Sequence, residues 1–159
     1  MELGKILLIL GALLTILGTY VFAVFVTFPG YVGSGLGFAM RIFDIIAIDP
    51  GADAFAFYFM LVLFIAWLVS GVLQLVGLKV KIVGLIFSLV PLAIGIIFLL
   101  FMYTEILGMM TFVFMILTTG EHFGGVYPVL VLLGDLGLGT YFLIGGGVLG
   151  LIGSLMPRD

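Results

Sequence analysis

Apolar positions run along this chain in long unbroken blocks, without the alternating or 3.6-residue patterns of a water-soluble fold. No charged side chain occurs from Ile6 to Met40, Ala54 to Leu78, Ile82 to Thr104 or Leu136 to Pro157. A hydrocarbon layer ~30 Å thick needs about 20 apolar residues at ~1.5 Å rise per residue, and each block is long enough. Four transmembrane helices are predicted, at 4–27, 54–78, 82–104 and 134–156. The first block begins after Lys5 and contains Val21-Phe22-Ala23, a passable signal-peptidase site. It continues well past Ala23, longer than a signal h-region, so an uncleaved span is expected.

Lys79-Val80-Lys81 is the only short connector, which makes the second and third spans a tight hairpin. Lys5, Lys79, Lys81 and Arg158 share its side, and Arg41 alone is basic on the other. The positive-inside rule then predicts a multi-pass cell-membrane protein with both termini cytoplasmic and two long loops outside.

Those loops are too apolar for solvated connectors. Leu36–Ile48 in the first and Ile106–Leu117 in the second are too short to span, and irregular backbone is not tolerated against lipid. Both are expected to form short interfacial helices, with Arg41 and Asp44 on one face of the first. Gly30–Gly35 and Asp49-Pro50-Gly51 read as turns in the first loop, as do Thr119-Gly120 and Phe123-Gly124-Gly125 in the second.

The chain also resembles itself. Ser70-Gly71-Val72-Leu73-Gln74-Leu75-Val76-Gly77 aligns with Gly146-Gly147-Val148-Leu149-Gly150-Leu151-Ile152-Gly153, and the same offset brings Lys5-Ile6 onto Lys81-Ile82 and Phe22 onto Phe98. The fold class expected is an all-α, four-transmembrane-helix bundle, one membrane domain over 1–159. It would be a tandem repeat of two helix–outer loop–helix units, 4–78 and 80–154. Parallel copies would be related by a pseudo-two-fold axis along the membrane normal.

Composition narrows the chemistry. The 159 residues are 65% hydrophobic and 8% charged, with a net charge of −3 and no cysteine. Disulfides and thiolate sites are excluded, and the absence of a basic cluster argues against nucleic acid. No acid, base or histidine falls near mid-bilayer. At ~1.5 Å per residue Glu105 lies about 36 Å from Lys81, and Asp135 comes out at a similar level counted back from Arg158. Both read as outer-interface acids. The absence of a midplane charge counts against an ion-coupled transporter.

Glu121-His122 is the one acid–imidazole pair, and with Asp44, Asp49 and Asp53 it makes a candidate cation site. Solvated loop charge is the plainer reading. No nucleophile–base setting is present, and a lone outer histidine does not suit haem, so no cofactor is expected. Small residues spaced by four are Gly146, Gly150 and Ser154; Ala66 and Ser70; and Gly11, Thr15 and Thr19. Such rows let helix backbones approach closely. Pro91 should kink the third span.

Cytoplasmic termini, long outer loops and a tight inner hairpin make a plan that resembles claudins and tetraspanins. The cysteine and tryptophan motifs of those families are absent here, so the plan alone carries no family and little about function. The leading expectation is a non-enzymatic scaffold or accessory subunit, whose partners are the bilayer and other membrane proteins or a second copy of itself. The alternative is a channel or transport component, since span, short helix, polar turn and span recur twice. Thr118-Thr119-Gly120 follows an apolar stretch, but no T-V-G-Y-G-like filter exists. A lipid-directed enzyme using Glu105, Glu121, His122 or Asp135 is the third reading.

Overall fold

A computed structural model of the chain describes residues 2–108, 113, 115 and 117–157, except the side chains of 27 and 28. Helix α1 (Leu3–Ile16) continues through one π-helical turn, Leu17–Val21, and is followed by strands β1 (Phe25–Phe28) and β2 (Tyr31–Gly33). Helix α2 (Gly35–Ile46), a 3-10 turn at Gly51–Asp53 and helix α3 (Ala54–Val76) complete the first half. The second half holds α4 (Lys81–Tyr103), β3 (Thr119–Glu121), β4 (Leu132–Leu133), β5 (Leu136–Gly137) and α5 (Leu138–Leu155). Among the described residues, four helical segments are long and apolar enough to cross a membrane: Leu3–Val21, Gly51–Val76, Lys81–Tyr103 and Leu138–Leu155.

The spanning helices pack in a ring, each of α1, α3, α4 and α5 against the next and α5 back against α1. Two kinds of contact hold it. Between α1 and α5, glycine meets glycine: a Cβ at Gly4 would lie 3.0 Å from the Gly153 oxygen, at Gly11 2.7 Å from Gly146 O, and at Gly18 2.8 Å from Gly139 O. Both rows repeat every seventh residue and run antiparallel in one register. A seven-residue period keeps one helix face on its partner over successive turns, and the missing Cβ lets backbones touch. On the other flank of α5, a Cβ at Gly147 would meet the Leu92 N at 2.8 Å, where Pro91 interrupts the hydrogen-bond ladder of α4.

Aromatic rings fill the opposite side. Phe64 lies 5.5 Å from Trp67 between centroids, Trp67 5.7 Å from Phe98, and Phe98 5.5 Å from Phe25. Phe38 of α2 stacks edge-on with Phe64 at 5.4 Å. These rings are almost completely buried, and they fix β1 and α2 to α3 and α4.

Several boundaries differ from expectation. The first span does not reach 27: it ends at Val21, because Phe22–Phe28 is aromatic and β-branched and its backbone finds partners elsewhere. Val24 N–H donates to Gly33 O at 2.8 Å, and Ala23 N–H to Val129 O at 2.9 Å. Gly30–Gly35 is not all turn, since only Gly30 takes a positive φ (82°) and Tyr31–Gly33 is strand. Thr119-Gly120 is likewise strand, not turn. The last span starts at Leu138 and not at 134, where Gly134 (φ 71°) and Asp135 instead form the two-residue turn of the β4–β5 hairpin. The chain is thus mostly helical, with short strands where an all-α fold was expected. In the second loop Val113, Met115, Leu117 and Thr118 are helical, while the rest of that predicted helix and Arg158 lie outside the described residues.

Candidate functional site

The end of the bundle away from Lys79 and Lys81 carries a cap built from both long loops. Sheet order is β1-β2-β3, and the β2–β3 pairing sets Tyr31 opposite Glu121, Val32 opposite Gly120 and Gly33 opposite Thr119. Strands far apart in sequence therefore close one platform. Ser34 starts α2: its Oγ accepts the Gly37 N–H at 2.9 Å, while its own N–H donates to Thr118 O at 3.1 Å. That is an N-cap tied at once to the second loop. Gly37 and Gly120 allow the helix to lie on β3, since a Cβ at Gly120 would fall 2.6 Å from the Gly37 Cα. One turn on, Arg41 Nη1 donates to Thr119 O at 3.0 Å.

Between α2 and the sheet opens a recess of about 370 Å³. Leu36, Met40, Phe123 and Pro128 give it apolar walls; Ser34, Arg41, Thr119 and Glu121 add polar groups, and Tyr31 adds a phenol. Its size is at the lower end for a small-molecule pocket, and its lining is that of an amphiphilic one. Sequence reasoning did not find it. Its residues come from Tyr31–Arg41 and Thr119–Pro128, and only the strand pairing joins them.

The predicted cation ligands do not assemble. Asp44, Asp49, Asp53 and Glu121 are exposed, His122 is partly so, and no three acidic or imidazole groups come together among the described residues. Asp49 Oδ1 instead accepts the Gly51 N–H at 3.1 Å, closing its own turn. His122 Nε2 is buried with no hydrogen-bond partner among the described residues. Glu105 and Asp135 are both exposed, beyond the ends of α4 and α5.

Of the small-residue rows, Gly11, Thr15, Gly146, Gly150 and Ser154 are all buried in the bundle. Thr15 Oγ1 donates to Gly11 O at 2.9 Å and would be 2.5 Å from a Cβ at Gly146. Gly150 lies under Gln74 and Ser88, with a Cβ there 2.6 Å from Gln74 Nε2. The α3 pair divides: Ser70 is buried, but Ala66 is only half-buried, and it is Gly71 that receives Ile16 of α1.

The threonine, serine and glutamine side chains of the spans face inward. Thr15, Thr19, Ser70, Gln74, Ser88, Thr140 and Ser154 are fully buried or nearly so. Most close on carbonyl groups: Thr19 on Thr15 O at 2.7 Å, Ser70 on Trp67 O at 2.7 Å, Ser88 on Gly84 O at 2.6 Å and Thr140 on Val24 O at 2.9 Å. Gln74 Nε2 bridges Ser88 Oγ at 3.1 Å and Gly146 O at 3.3 Å, tying three helices together. Its Oε1, Trp67 Nε1 and Ser154 Oγ have no partner among the described residues. The interior is a polar seam in which most hydroxyls close on carbonyl groups, with backbone pressed against backbone between them.

No protein-family model matches this chain, and neither the curated proteins nor the solved structures include a match.

Proposed function

We propose that the chain is a non-enzymatic integral membrane protein, a scaffold or accessory subunit that presents its cap to a partner. The observation that carries this reading is the recess between α2 and β3, on a platform braced from both loops by strand pairing and by Arg41. A cap fastened in this way is already shaped before binding, so little ordering entropy opposes association. Lysines at the opposite end support cytoplasmic termini in a cell membrane and an outer cap, whose exposed Asp44, Asp49, Asp53, Glu105, Glu121 and Asp135 make it acidic. We read 4–78 and 80–154 as copies of one unit whose helices kept their plan while their loops diverged, one into β1, β2 and α2 and the other into β3, β4 and β5.

The test is co-purification from native membranes in mild detergent. A partner retained by the wild type and lost on Met40→Glu, with the variant still folded, supports the reading. Absence of any stoichiometric partner, with a photo-crosslinker at position 40 capturing none, overturns it.

A second reading, a channel component, draws on the inward convergence of Thr15, Thr19, Ser70, Gln74, Ser88 and Thr140. Close glycine contacts between α1 and α5 and between α4 and α5 argue against an open route within a single chain. Reproducible unitary currents from purified protein in planar bilayers, reduced on neutralising Glu105 or Asp135, would favour this second reading.

A further inference from the structure

The spanning segments differ in length by pairs. Leu3–Val21 has 19 residues and Leu138–Leu155 has 18, whereas Gly51–Val76 has 26 and Lys81–Tyr103 has 23. At ~1.5 Å per residue the short pair measures about 27–29 Å and the long pair about 35–39 Å. The short helices are neighbours, and their cap ends meet where Gly18 lies against Gly139. They barely match a ~30 Å hydrocarbon layer. Whatever continues beyond them on that side sits at the leaflet boundary.

Packed on these two ends, through Val129 on α1 and Val131 on α5, is the run 123–133. This run has no charged side chain, and it exposes Val126 at 71% and both Leu132 and Leu133 at 49%. The exposed stripe of α1, Leu10, Leu13 and Leu17, leads up to it through Tyr20, whose carbonyl accepts the Tyr127 hydroxyl at 2.7 Å.

The backbone at this junction is closed by protein groups. Val129 N–H donates to Val21 O at 2.8 Å, Leu138 N–H to Val131 O at 2.7 Å and Gly139 N–H to Ala23 O at 3.1 Å. Tyr141 donates its hydroxyl to Leu133 O at 3.0 Å. Helix ends facing water can leave such groups to solvent, whereas in lipid they must be satisfied internally. We propose that residues 123–133 are seated in the lipid of the cap-side leaflet, a non-helical rim that takes the place of the missing outer turns of α1 and α5. The occupant of this apolar surface is bilayer lipid, reached by direct continuity from the exposed stripe of α1. The rim shares Phe123 and Pro128 with the recess, but the inference does not rest on the partner-binding reading.

The native chain has no cysteine, so single cysteines can be read cleanly. Full-length V126C and L132C, labelled with an environment-sensitive fluorophore, are placed in phosphatidylcholine nanodiscs with or without doxyl-labelled phosphatidylcholine. V62C, on the exposed face of α3, gives the lipid reference, and D49C, in an exposed turn, gives the aqueous one. The expected result is blue-shifted emission at 126 and 132, doxyl quenching comparable to position 62, and iodide quenching several-fold weaker than at 49. Iodide quenching equal to that at 49 overturns the proposal. So does protection from both quenchers, which would place a second copy of the chain on the rim. L133C replaces either variant that fails to fold.

Discussion

Gly11 of α1 faces Gly146 of α5 so closely that a Cβ on the first would come within 2.7 Å of the carbonyl oxygen of the second. Neither backbone can retreat alone, because Gly4–Gly153 and Gly18–Gly139 hold the same register on either side. A Cβ on the preceding residue of α5, Gly145, would meet only the Leu14 Cδ1 at 3.6 Å, an ordinary contact.

Two adjacent glycines are therefore expected to behave differently. Gly146→Ala forces a methyl into the Thr15 hydroxyl and the Gly11 carbonyl, and overpacking of this kind costs about 1–3 kcal/mol. Gly145→Ala should be neutral or slightly stabilising, as expected for alanine in a helix. Thermal unfolding of the two purified variants in detergent is the measurement. Equal melting temperatures would show that the α1–α5 contact is looser than described.

Gln74 and Ser88 should be energetically coupled, since the Ser88 hydroxyl gives its proton to Gly84 O and accepts from Gln74 Nε2. Interhelical hydrogen bonds in membranes average ~0.6 kcal/mol by double-mutant cycle. A cycle of Gln74→Met and Ser88→Ala should return a coupling of about that size. Additive effects would show that the Gln74 amide is held by Gly146 alone.

Arg41 is expected to hold the cap rather than the bundle. Arg41→Met removes the bond to Thr119 O, and hydrogen exchange should rise across α2 and β3 while the amides of α1 and α5 are unchanged. Arg41→Lys should restore protection only in part, because an ammonium lacks the planar fork of the guanidinium. Exchange rising throughout the chain would assign Arg41 to global stability instead.

Orientation has a direct test. A cysteine replacing the exposed Asp49 should react with an impermeant maleimide on intact cells, and one replacing the half-exposed Val80 only after permeabilisation. Labelling of position 80 in intact cells would invert the topology.

The spans were legible because lipid imposes an unbroken apolar requirement that few other structures meet. Their ends were less so. Ile16 through Phe28 carries no charge and is mostly apolar on both sides of Phe22, so hydropathy does not register the change from helix to strand there. That change depends on pairing with Gly33 and Val129, which lie elsewhere in the chain. The inward turn of Thr15, Ser70 and Gln74 follows from their polarity, but their partners do not. Spacing by four identified Gly146 and Gly150 yet passed over Gly4, Gly18, Gly139 and Gly153, whose seven-residue interval was present in the sequence. The recess was not legible, because Tyr31 and Glu121 meet only through the β2–β3 register.

That same register orders the events of biogenesis. Strand β2 emerges with the first half of the chain, before α3 and α4, and its partner β3 only after both. A nascent chain halted before residue 119 can insert three helices and pair β1 with β2, but it has no strand for the second edge of Tyr31–Gly33, no carbonyl for Arg41 and no floor beneath α2. The platform is thus complete only when translation has passed β3, so a correctly formed cap reports that the membrane has received the whole polypeptide up to that point.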